Sequence, residues 1–115
     1  MFQDKMVLCA SSAYEKKFYL NENFEGLPQH FKDELKIMCL LFTEDVGGVL
    51  SLEFDENGNL ELNTSADEGD LLYDEIGSVL KIKQMQQEKQ ELFESLETYY
   101  KVFFLGEDIE DDNGD

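Results

Sequence analysis

Between Val49 and Thr64 the chain has one favourable way to fold. Val49 to Phe54 alternates, with Leu50, Leu52 and Phe54 on one side and Ser51 and Glu53 on the other. Leu60-Glu61-Leu62-Asn63-Thr64 alternates again. A period of two places successive side chains on opposite faces of a strand. Asp55-Glu56-Asn57-Gly58-Asn59 separates the runs, and Asn and Gly accept the positive φ of a tight turn. Residues 49–64 therefore read as a β-hairpin with one apolar face, which needs a second layer to cover it.

The flanking segments supply that layer. Upstream of Gly47-Gly48 the period changes: Phe31, Leu35, Met38 and Phe42 recur at steps of three and four, and Ile37 and Leu41 widen the stripe. Pro28 suits the first position of this helix, where its missing N–H costs nothing, and the helix is expected to end near Thr43. Lys5 to Ala10 reads as a buried strand, Ser11-Ser12-Ala13 as a turn, and Lys17-Phe18-Tyr19-Leu20 as its hairpin partner. The segment Ser12 to Lys17 also has the composition of a helical turn.

Downstream, Ser65-Ala66-Asp67-Glu68 matches a capping box. From Asp70 to Phe104 there is no Pro and no turn cluster, and Gly77 is the one weak breaker. Leu72, Ile76 and Val79 begin an apolar stripe; Ile82, Met85, Leu92, Leu96, Tyr99 and Phe103 continue it, across a polar stretch from Lys83 to Glu91. Two readings fit: one long helix with a drifting face, or two helices broken near residues 83–88. The lack of a turn residue favours the single helix. The expected class is α+β in the order ββαββα, an antiparallel sheet with helices on one face and a long C-terminal helix. Such a helix outreaches so small a domain, so Leu92, Leu96, Tyr99 and Phe103 are candidates for self-association as a homodimer.

One domain over residues 1–106 accounts for the length of 115 residues. Nine Phe and five Tyr with a single Pro are unlike a disordered chain. Residues 107–115 hold six acids and no base, and are expected to be a disordered tail.

The charge excludes whole classes of partner. There are 27 acids against nine lysines, no arginine at all, and a net charge of −18. Without the tail's six acids, residues 1–106 still carry −12. This balance argues against nucleic acid and against anionic membranes. Between Lys36 and Lys81 lie eleven acids and no base. Glu44, Asp45, Asp67, Asp70 and Asp74 stand out as a candidate acidic contact surface. On the helical reading, Asp67, Asp70 and Asp74 share one face, where like charges repel by roughly a few tenths of a kcal/mol. Acids at a helix N-terminus explain Asp67 and Asp70 more simply than a site does.

No catalytic set is visible. His30 and Cys39 are nine residues apart on one helix, opposed in direction and roughly 13 Å apart along its axis. A Cys9–His30 pair stays open. Two Cys and one His fall short of a zinc site. Asp55-x-Asn57-x-Asn59 imitates an EF-hand loop, but Leu60 stands where Gly belongs and Ala66 where Glu belongs. No phosphate-binding Gly loop or nucleophile elbow is present. Tyr73, Tyr99 and Tyr100 read as core or interface aromatics. Cys9 and Cys39 sit in apolar runs and read as buried free thiols. Met1 to Lys5 does not resemble a signal peptide, and no apolar run approaches spanning length, so the cytoplasm is the expected compartment. No cofactor is expected.

Four segments together resemble a known family. They are Lys5-Met6-Val7-Leu8-Cys9, Leu41 to Gly48, Tyr73 to Ser78, and Tyr99 to Asp108. They are similar to an uncharacterised family of small acidic proteins from Clostridia-type bacteria, a domain of unknown function, over residues 5 to 108. That family carries no known activity, cofactor or site, so the resemblance implies none; it does imply a bacterial cytoplasmic origin. The leading expectation is a non-enzymatic protein-interaction or regulatory domain. The alternatives are an inhibitor or nucleic-acid mimic whose acidic surface binds a basic protein, and a divalent-metal-dependent enzyme built on the same carboxylates.

Overall fold

A computed structural model describes residues 5–107. The hairpin forms as its alternation dictates. Strands β3 (Val49–Phe54) and β4 (Leu60–Ser65) pair antiparallel from Phe54↔Leu60 to Val49↔Ser65. The Asp55 carboxylate closes the turn by accepting the backbone N–H of Asn57 and of Asn59, each at 2.9 Å. Those bonds, Asn59 foremost, hold the Asp55 carboxyl below the usual range. Leu50, Leu52 and Phe54 are buried.

β1 (Met6–Ser12) and β2 (Lys17–Leu20) complete a four-stranded antiparallel sheet in the order β2-β1-β3-β4. The register of β1 on β3 shifts between Val7 and Cys9. The Ser12 hydroxyl accepts the N–H of Tyr14 and of Glu15, and so shapes the β1–β2 turn. Lys16 N–H donates to Ser12 O at 2.8 Å, so the segment makes a single helical turn between the two strands.

After a 3-10 turn at Glu22–Phe24, α1 runs over Gln29–Val46. Pro28 is its N-cap, one residue outside the expected position, because its ψ of 146° is extended. Leu35, Met38, Cys39, Phe42, Thr43 and Val46 face the sheet. The two faces meet at polar contacts from Ser11 and Cys9. Ser11 Oγ lies 2.7 Å from Thr43 Oγ1 and donates to Cys39 O at 2.9 Å. Cys9 Sγ and Cys39 Sγ lie 4.0 Å apart, both thiols free and buried. Ile37 and Leu41 do not widen the buried stripe; each is 59% exposed on the opposite side of the helix. Helix α1 stops at Gly47, and Gly48 follows with φ +71°. A Cβ on Gly48 would lie 2.5 Å from Ser65 O and 2.8 Å from the Tyr73 ring, so only glycine fits there.

The C-terminal half departs from expectation in two ways. Ser65 is the last residue of β4, paired with Val49, so it caps no helix. The next helix, α2 (Glu75–Glu88), starts ten residues later and is capped by Asp74, whose carboxylate accepts Gly77 N–H at 2.8 Å. Asp67, Asp70 and Asp74 therefore lie on an irregular segment rather than on one helix face. The long helix is also divided. α2 and α3 (Gln90–Phe103) meet at Lys89, which has φ −110° and ψ 24°. A straight helix over 75–103 would run about 43 Å, farther than this sheet can cover. The bend lets Met85 of α2 and Leu92, Phe93 and Leu96 of α3 enter one core with the sheet. At the far end of the sheet, Phe54 and Tyr100 stack with centroids 4.2 Å apart, and Phe24 and Phe104 join them.

The architecture is α+β in the order ββαββαα. Of the acidic tail at 107–115, Glu107 is exposed and the rest lies outside the described residues.

Candidate interaction surface

The segment between β4 and α2 crosses the end of α1 and is fixed there by backbone and side-chain bonds. Asp74 N–H donates to Val46 O at 2.9 Å. The Tyr14 hydroxyl, projecting from the β1–β2 turn, donates to the Asp70 carboxylate and accepts Asp67 N–H at 2.9 Å. The second Asp70 oxygen accepts Leu72 N–H at 2.9 Å. Tyr73 packs on Gly48, and its hydroxyl donates to Ser78 Oγ at 2.9 Å. The bond to Asp70 raises the Tyr14 phenol above its ordinary value. The same bond lowers the Asp70 carboxyl, and Leu72 N–H adds to the effect.

This scaffold presents what it does not bury. Leu71 and Leu72 are 94% and 92% exposed, between Asp70 and Asp74. Ile76, Val79 and Leu80 follow as exposed aliphatics on α2. The stripe expected to begin at Leu72, Ile76 and Val79 thus faces solvent, while Ser78 and Met85 are the buried residues of α2.

A family comparison matches residues 5–108 to DUF6145, a family of unknown function. The chain belongs to that family. No curated protein and no solved structure matches it.

In this DUF6145 chain the five acids singled out from the sequence occupy one end of the fold but sit in different surroundings. Glu44, Asp45 and Asp70 line one open cavity of about 680 Å³ with Tyr14, Lys16, Leu40 and Leu72. Asp45 pairs with Lys81 at 2.9 Å. Asp67 contributes its backbone N–H to Tyr14, and Asp74 caps α2. Among the described residues, no group of three His, Cys, Asp or Glu side chains is placed to hold a metal ion.

The self-association residues of the DUF6145 chain separate in the same way. Leu92 and Leu96 are buried in the chain's own core, where the bend at Lys89 turns them. Tyr99 is half-buried and tilted against exposed Phe103, with centroids 4.8 Å apart. Four apolar residues at helical spacing thus do not form one free face. His30 is exposed beside Phe31, whereas both thiols are buried facing each other, so no Cys–His pair forms. Hydrogen bonding to Cys39, with burial, pushes the Cys9 thiol well up.

Sequence reasoning missed Tyr14 and Leu71 and placed Leu72 on a helical stripe, whereas it lies exposed before α2. The Leu71-Leu72 pair sits between two capping-type acids, Asp70 and Asp74, and that was the available signal. No helix among the described residues is long and apolar enough to cross a membrane.

Proposed function

We propose that this chain is a non-enzymatic protein-interaction domain of the bacterial cytoplasm whose acidic surface takes a basic partner protein. One observation carries the reading: Leu71 and Leu72 are exposed on a segment whose backbone is pinned by Tyr14, Asp70 and Asp74. Two large aliphatic side chains held in water on an ordered loop are an aggregation liability unless something covers them. Holding them rigid lowers the ordering cost of binding. The carboxylates around them favour a partner with basic groups beside an apolar contact, and repel nucleic acid. The two unpaired thiols fit a reducing compartment.

The test is capture of partners from the host's lysate at low and high salt. Three forms are compared: wild type, Glu44→Lys with Glu68→Lys, and Leu71→Ser with Leu72→Ser. A basic protein that is retained at low salt by wild type alone supports the reading. Retention unaffected by either pair of substitutions and by salt overturns it.

A further inference from the structure

A groove lies between α1 and α2, distinct from the Leu71-Leu72 segment. It is open, has a volume of about 550 Å³, and Ile37, Met38, Leu41, Phe42 and Met85 provide its apolar lining. Two ion pairs bridge its helices, Lys81–Asp45 and Lys89–Glu34, each at 2.9 Å. Lys81 and Lys89 are separated by about 12 Å along α2, and Glu34 and Asp45 by about 16 Å along α1. The bridges therefore frame a trough two to three helical turns long.

Ile37 and Leu41 are four residues apart, so they project side by side along this trough. Isolated exposed aliphatics are ordinary, but an i, i+4 pair over an apolar groove matches the anchor spacing of a docked helix. The occupant's charge follows from the rim. Both lysines are already neutralised by their bridges. On the rim, Asp33 and Glu88 are exposed and enter no ion pair among the described residues. A second copy of this chain would bring another −18 to the same place.

We infer that the α1–α2 groove receives an amphipathic helix of the partner, with its apolar face on Ile37 and Leu41 and its lysines or arginines beside Asp33 and Glu88. This rests on the interaction reading above and gives the partner a form.

The probe is a dye-labelled synthetic helix of about three turns, with leucines at i, i+3, i+4 and i+7 and lysines elsewhere; its control carries glutamates in place of the lysines. Anisotropy measures affinity, and backbone amide shifts map the site. The lysine peptide is expected to bind and the glutamate peptide not to. Binding should weaken with salt, and fall by at least about tenfold in Ile37→Ser with Leu41→Ser. Shifts should centre on Ile37, Leu41 and Gln84. Both substituted residues are exposed, so circular dichroism and melting should match wild type. Undiminished binding by this variant, shifts centred elsewhere, equal binding of the glutamate peptide, or no binding overturns the groove. So does a dimer, seen by light scattering, that the same variant dissolves. Loss of peptide binding in Leu71→Ser with Leu72→Ser alone removes the groove and leaves the interaction reading standing. Absence of any salt-sensitive partner, peptide or lysate protein, removes both.

Discussion

The Tyr14 hydroxyl donates to the Asp70 carboxylate, joining two segments 56 positions apart in the sequence. This bond decides how the segment between β4 and α2 lies, because Asp70 also sets the Leu72 backbone and Tyr14 also accepts Asp67 N–H. Its pH window has two edges. The Asp70 carboxyl is lowered, so its contribution is present above the ordinary carboxylate value and lost as pH falls through its own. The Tyr14 phenol is raised, so its contribution is present below the ordinary phenol value and lost as pH rises through its own. The segment should be held best near neutrality. NMR titration of labelled tyrosines should find Tyr14 ionising above the ordinary value, and Asp70→Asn should return it toward that value. An unchanged Tyr14 titration in Asp70→Asn would show that the bond does not form in solution.

Asp74 is an acid with a local structural task. Its carboxylate satisfies one of the four orphan N–H groups at the start of α2. Asp74→Ala should cost about 1 kcal/mol in a denaturant melt, and Asp74→Ser should retain most of it. Equal losses for both would point to charge rather than capping.

Gly48 is constrained more tightly than Gly47. A Cβ on Gly48 meets the Ser65 carbonyl and the Tyr73 ring, and its φ is +71°. Gly48→Ala should cost on the order of 1–3 kcal/mol through strain and displacement of Tyr73. Around Gly47 the nearest atoms stand at 3.6 Å or more, so Gly47→Ala bears the backbone strain alone and should cost less. Thermal melts of the two variants would reverse in order if the close approach at Tyr73 were not the cause.

The sheet was legible because alternation is local. The run from Val49 to Phe54 states which side is buried, and the turn at Asp55 to Asn59 states where the strand returns. The inner stripe of α1 was legible for the same reason. Ile37 and Leu41 were not, because the spacing of apolar residues cannot say that a helix carries two apolar faces of which only one meets the sheet. Ser65 misled because Ser-x-x-Glu is a capping box only where the backbone is free to turn, and here pairing with Val49 extends β4 through it. The break at Lys89 has no turn residue to announce it. It follows from tertiary demand, since α2 packs on α1 while α3 reaches the Phe24–Phe54 end of the sheet. Of the candidate site, the acids could be read as a group, but the bond that holds Asp70 depends on Tyr14, a residue 56 positions away.

The thiols offer a direct check on the core. Cys9 and Cys39 are fully buried between β1 and α1, and the Cys9 thiol is pushed well up by its bond to Cys39 and by burial. A thiolate is the reactive form, so at Cys9 neither accessibility nor ionisation favours attack on a reagent, and at Cys39 burial alone blocks it. An aromatic disulfide reagent at neutral pH should label both cysteines only as fast as the protein opens, and denaturant should release two equivalents at once. Rapid labelling of either thiol in the native protein would contradict the packing of α1 on β1.

Leu96 and Leu72 look alike in the sequence, each on an apolar stripe of the C-terminal half, but their surroundings are opposite. Leu96 is 1% exposed and packs in the core, whereas Leu72 is 92% exposed. Leu96→Ala should cost about 2–5 kcal/mol, because it removes buried methyl groups and leaves a cavity. Leu72→Ser removes no core contact and should change stability by no more than about 0.5 kcal/mol. Binding should show the reverse order, with Leu72→Ser weakening partner capture at unchanged stability. Urea melts on both variants, read beside the capture assay, separate the two roles. If Leu72→Ser instead melted as early as Leu96→Ala, the segment between β4 and α2 would be packed in solution. The leucine pair could not then serve as an anchor for a partner.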